Sequence, residues 1–67
     1  MQQVVAQELE KLLTAEDVGR ILGRHPRSVL TLAREGGISH VRLGRRGVRF
    51  RPEDVAEYVQ RHAVEAR

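Results

Sequence analysis

Residues 14–37 read TAEDVGRILGRHPRSVLTLAREGG, and two helix starts and two helix stops lie inside this stretch. Thr14 can cap a first turn with its hydroxyl, and Asp17, three residues on, can close a shortened capping box. Leu13 precedes the cap as a hydrophobic staple against Val18. Ala15, Val18, Ile21 and Leu22 then recur on one helical face. Gly23 offers the left-handed backbone that ends a helix, so the first helix is predicted over 15–22. Pro26 opens the next, because its missing amide would have no partner at the first helical position, and it holds His25 extended at the cap. Gly36-Gly37 closes that helix after about residue 35. Two helices separated by three or four residues have the spacing of a helix-turn-helix.

At 3.6 residues per turn, the second helix places Val29, Leu32 and Ala33 on one face and Arg27, Thr31 and Arg34 on the other. Leu30 and Ser28 flank them. An apolar stripe backed by Arg, Thr and Arg suits a helix that docks on a core and reads a groove.

Downstream, His40-Val41-Arg42-Leu43 and Val48-Arg49-Phe50-Arg51 alternate apolar and basic residues around Gly44-Arg45-Arg46-Gly47. That alternation is the period of a half-buried strand. Pairing Leu43 with Val48 also sets Arg42 against Arg49 and Val41 against Phe50, with apolar residues inward and arginines paired outward. A two-residue turn would force Arg45 and Arg46 to positive φ. The expectation is therefore a four-residue connection in which Gly44 or Gly47 takes the unusual angles. Pro52 opens a last helix, with Glu53 and Asp54 in the first turn and Val55, Tyr58, Val59 and His62 facing inward. The order is helix, helix, hairpin, helix. This is a mostly α fold with a small β-hairpin, a winged helix-turn-helix, over 12–63. Residues 1–11 form a lead-in where Val5, Leu9 and Leu12 admit a helical stripe or a frayed start, and 64–67 form a tail.

Charge follows the same plan. The 67 residues hold 12 Lys+Arg and 9 Asp+Glu, a net +3. Residues 20–51 hold nine Arg and a single acid, Glu35, whereas both ends are net acidic. A basic middle of this kind marks a polyanion-binding face. A GC-rich genome would favour Arg over Lys, yet it would not keep acids out of 20–51. Arg27, Thr31 and Arg34 are the candidate base-edge contacts, since Arg matches guanine O6 and N7 and Thr suits the thymine methyl. Arg24, His25 and Ser28 are candidate phosphate contacts. Arg45 and Arg46 at the hairpin tip would reach a phosphate or a narrow minor groove, and Arg42, Arg49 and Arg51 would line the backbone.

Other classes are excluded. At this length a chain buries only about 60% of its unfolded surface, too little for a barrel or a Rossmann unit. With no Cys, disulfides and thiolate metal sites are out. His25, His40 and His62 lack ligand spacing, no phosphate-cradling loop occurs, and Ser28 has no base beside it. Tyr58 falls on an apolar face. The expectation is no enzyme, no cofactor, no metal and no small-molecule ligand. No run approaches the roughly 20 apolar residues of a membrane span, and the start does not read as a signal peptide, so a cytoplasmic protein is expected.

Leu12-Leu13-Thr14-Ala15-Glu16-Asp17-Val18, Ile21-Leu22-Gly23, Val41-Arg42-Leu43-Gly44-Arg45-Arg46 and Val48-Arg49-Phe50-Arg51-Pro52-Glu53-Asp54-Val55 together resemble the excisionase-type winged helix-turn-helix, a family related to the DNA-binding domain of MerR-like regulators. The resemblance covers about residues 12–62. It implies a phage or mobile-element recombination directionality factor without catalytic activity, working in the bacterial host cytoplasm at the nucleoid. Such a factor binds direct repeats beside an attachment site, bends double-stranded DNA and helps a tyrosine integrase excise the element, with neighbouring copies in contact along the DNA. It also implies that helix 26–35 enters the major groove and that 44–47 is the wing. Other members are small transcriptional regulators, the alternative reading. A protein-interaction module docking through 1–12 is a third. Two positions depart from the family pattern: His25-Pro26 replaces the usual Ser or Thr cap and the basic residue after it, and Leu30 stands where an aromatic is common.

Overall fold

The computed structural model describes residues 11–64. The expectations for residues 1–10 and 65–67 lie outside the described residues, as does the side chain of Arg46. The described chain runs α1 (Ala15–Leu22), α2 (Pro26–Arg34), β1 (Val41–Arg42), a 3₁₀ turn (Gly44–Arg46), β2 (Val48–Arg49) and α3 (Pro52–Arg61). Three helices and an antiparallel hairpin thus form the mostly helical, winged arrangement expected.

Both ends of α1 follow from its sequence. Thr14 Oγ1 accepts the Asp17 amide at 3.1 Å, and Asp17 Oδ2 accepts the Thr14 amide at 2.9 Å. Gly23 ends the helix at φ 68°. A second glycine governs the turn into α2. A Cβ on Gly19 would lie 2.5 Å from the Arg24 carbonyl oxygen, so only glycine lets the start of α2 close onto the buried face of α1.

The core gathers Ala15 and Val18 from α1, Val29 and Ala33 from α2, Val55 and Tyr58 from α3, and Ile38 and Phe50 from the connecting segments. Leu13, Leu22, Leu32 and Val48 pack partly buried around it. Three residues expected inside are instead exposed: Ile21 at 59%, Val59 at 48% and Leu43 at 40%. A core this small covers a narrow stripe on each helix, and residues at the stripe's edge stay in water. His62 is also exposed, although its ring stacks on Tyr58 with centroids 4.2 Å apart.

The hairpin register differs from the one expected. Val41 pairs with Arg49 and Arg42 with Val48, so Arg42 and Arg49 are not opposed. The cause is the turn. Gly44 at φ 57° and Gly47 at φ 98° both take positive angles. They accommodate a 3₁₀ turn and a longer connection, Leu43–Gly47, closed by the Leu43 amide on the Gly47 carbonyl at 2.8 Å. The arginines escape positive φ, as expected. Phe50 pairs not with Val41 but with Leu13, in a bridge closed by two backbone hydrogen bonds of 2.7 and 2.8 Å. The segment entering α1 is thereby tied to the strand leaving the wing.

Arg51 and Asp54 close the start of α3. The buried Asp54 carboxylate, 4% exposed, accepts the Arg51 amide at 3.0 Å and two guanidinium donors at 3.1 and 2.8 Å. Burial pushes the Asp54 carboxyl up, but the Arg51 hydrogen bonds and charge outweigh it and hold the group below its ordinary value. The Thr14 hydrogen bonds, with Arg20 beside them, lower Asp17 likewise. Both groups therefore stabilise the fold fully above the unfolded aspartate pKa of about 3.9 and lose that contribution as pH falls through their lower folded values. Thermal melts from about pH 5 to pH 2 should show the midpoint dropping below about pH 4 as these two carboxylates are protonated. Asp54→Asn should flatten that drop.

Candidate nucleic-acid interface

The interface is built on α2. Val29 and Ala33 are buried and Leu32 is half-buried, while Arg27, Ser28, Thr31 and Arg34 are exposed. The division of the helix into a docking face and a free face is the one its sequence implies. Pro26 stands at the first turn, and His25 caps the helix: its Nδ1 accepts the Arg27 amide at 3.1 Å. A histidine thus does the work of the usual hydroxyl. Because Nδ1 is used as an acceptor, the ring proton sits on Nε2, which is left as a donor.

An open cleft runs along α2. Arg24, His25, Arg27, Ser28 and Thr31 line it, so five of the six candidate residues at this helix come together. Arg34 is exposed on the same helix but is not part of the cleft wall. Two residues not singled out as site residues, Leu32 and Glu35, complete the lining. The signal for Glu35 was present in the sequence as the single acid of 20–51. None marked Leu32, whose spacing places it with the core.

The wing candidates separate into two groups. Arg42 and Arg45 are exposed and form no ion pair among the described residues. Arg46 lies in the same 3₁₀ turn as Arg45. Arg49 is half-buried and donates to its neighbour's carbonyl, that of Val48, at 2.9 Å. Arg51 is held by Asp54, with half of its side chain exposed.

Among the described residues, no group of three or more His, Cys, Asp or Glu is placed to hold a metal ion. No described helix is long and apolar enough to cross a membrane.

A family model described as a helix-turn-helix domain matches residues 12–63, the span over which the fold was expected from the sequence. No curated protein and no solved structure matches the chain. The matched family is a binding module rather than a catalytic one, and it is broader than either the excisionases or the MerR-like regulators. With its capped helix pair, basic cleft and hairpin, the chain belongs to the helix-turn-helix domain family, as a DNA-binding domain.

Proposed function

We propose that the protein is an excisionase-type architectural factor. It binds direct repeats beside an attachment site, bends the duplex and directs excision by a tyrosine integrase, without itself breaking a bond. The observation that carries the DNA-reading part is the cleft on α2, where Arg24, His25, Arg27, Ser28 and Thr31 meet on the free face of a docked helix. The excisionase part rests on the resemblance of residues 12–62.

In this reading α2 enters the major groove, which is about 12 Å wide and admits one helix. Arg27, Thr31 and Arg34 meet base edges, and Arg24, His25 and Ser28 hold phosphates. Arg45 and Arg46 reach the adjacent minor groove or its phosphates. Arg42, Arg49 and Arg51 follow the backbone, Arg51 with the smaller share because Asp54 already holds it. With about five phosphates contacted, log affinity should fall against log salt with a slope of about −4 to −5. Bending a 20–30 base-pair site costs on the order of 1–6 kcal/mol, which several adjacent copies together can offset.

Footprinting and bending assays on DNA flanking the element's attachment site, with and without its integrase, test the reading. Protection of phased repeats, a bend and stimulated excision support it. One protected operator over a promoter, with no effect on the integrase, would identify a small transcriptional regulator instead. Replacing Arg45 and Arg46 together by Ala should weaken binding to all duplexes alike and flatten the salt slope by about 2, with the melting curve unchanged. An unmoved affinity would remove the wing from the interface.

A further inference from the structure

The charges of α2 run against its own dipole. Anions are favoured at a helix N-terminus and cations at the C-terminus. α1 and α3 obey this, with Glu16 and Asp17, and Glu53 and Asp54, in their first turns. α2 has no acid in its first turn and carries Arg27 there. Glu35 stands at its C-terminal cap, where a carboxylate is disfavoured, and Arg34 is the one charge placed as the dipole prefers. Glu35 forms no ion pair among the described residues, so no internal salt bridge accounts for its position. It nevertheless lines the same cleft as Arg24 and Arg27.

A carboxylate on a DNA-facing surface repels phosphates and can only accept hydrogen bonds. In the major groove the matching donors are base amino groups, and a carboxylate pairs best with cytosine N4. From Arg27 to Glu35 the helix rises about 12 Å, or three to four base-pair steps at about 3.4 Å each. We propose that Glu35 is a specificity-determining residue that accepts from a cytosine amino group at one end of the half-site, opposite in polarity to the guanine read by Arg27, and that discourages settling on arbitrary backbone. This rests on the reading of α2 as the groove-entering helix. It adds the base composition of the target: a guanine and a cytosine, three to four steps apart, on the face that α2 covers.

The test is selection from a randomised duplex library with the parent protein and with Glu35→Gln, followed by titration of the selected duplex, its single-position variants and a random duplex. The parent should select a cytosine three to four steps from a guanine. Glu35→Gln should move that cytosine toward adenine, whose N6 and N7 suit an amide. The variant's preference for cytosine should fall by about 5- to 150-fold, and its affinity for the random duplex should rise. Its melting temperature should hold or increase, since the charge removed opposes the helix dipole. A parent that selects a site while Glu35→Gln selects the same one with the same random-duplex affinity would overturn the role of Glu35 and leave DNA reading by α2 intact. A parent that binds no duplex would overturn the DNA reading itself.

Discussion

Phe50→Ala should abolish cooperative folding at room temperature. Phe50 is the largest fully buried side chain, with 0% exposure, and it is the chain's only phenylalanine. Its backbone ties the wing to the entry of α1 through the bridge to Leu13. Truncating a buried phenylalanine costs about 3–5 kcal/mol, and a single core in a domain of this size rarely supplies more than about 3–5 kcal/mol in total. The two figures meet, so the variant should show no cooperative thermal transition by circular dichroism. Phe50→Leu, which keeps most of the volume, should retain a lowered one. A Phe50→Ala protein melting within a few degrees of the parent would show that the core is organised around something else.

Arg27→Ala should produce the largest loss of sequence discrimination that leaves the fold unchanged. The cap on α2 uses the Arg27 backbone amide, donated to His25 Nδ1, and alanine keeps that amide. The side chain is exposed and lines the cleft, so its removal creates no cavity. A bidentate arginine on guanine is worth about 1–3 kcal/mol of discrimination. Binding to the selected duplex should weaken by that amount and binding to random duplex much less, as measured by fluorescence anisotropy at fixed salt. Equal losses on both would reassign Arg27 to a phosphate.

What the sequence revealed here was local, and what it withheld was not. The limits of α1 and α2 are written in Thr14, Asp17, Gly23 and Pro26, residues that act within one turn of where they stand. The two faces of α2 follow from helical period alone. The hairpin register could not follow from alternation, because it is set by a turn with two positive-φ glycines and by Leu13, some 37 positions from its partner Phe50. Ile38, 1% exposed, has no periodic context to mark it as core. Gly19 looked like an ordinary helical residue until the Arg24 carbonyl came against it. In the site, Arg27, Ser28 and Thr31 of α2 share a cleft with Arg24 and His25 just before it, while Arg34, expected on one face with Arg27 and Thr31, stays outside the cleft wall. Arg51 could have been discounted, since Asp54 stands one helical turn on and competes for it. Glu35 was visible as a lone acid four residues after Thr31, and the cleft places it on one surface with Arg24 and Arg27.

In the proposed complex α2 and the wing form one DNA-binding surface. This is tested most directly by titrating ¹⁵N-labelled protein with a selected duplex of about 20 base pairs and following the amide resonances. A shared surface should give shifts concentrated in residues 24–35 and 42–49 together, saturating at one DNA concentration, with the outer face of α3 unmoved. Shifts confined to α3, or a wing that stays silent while α2 responds, would contradict it.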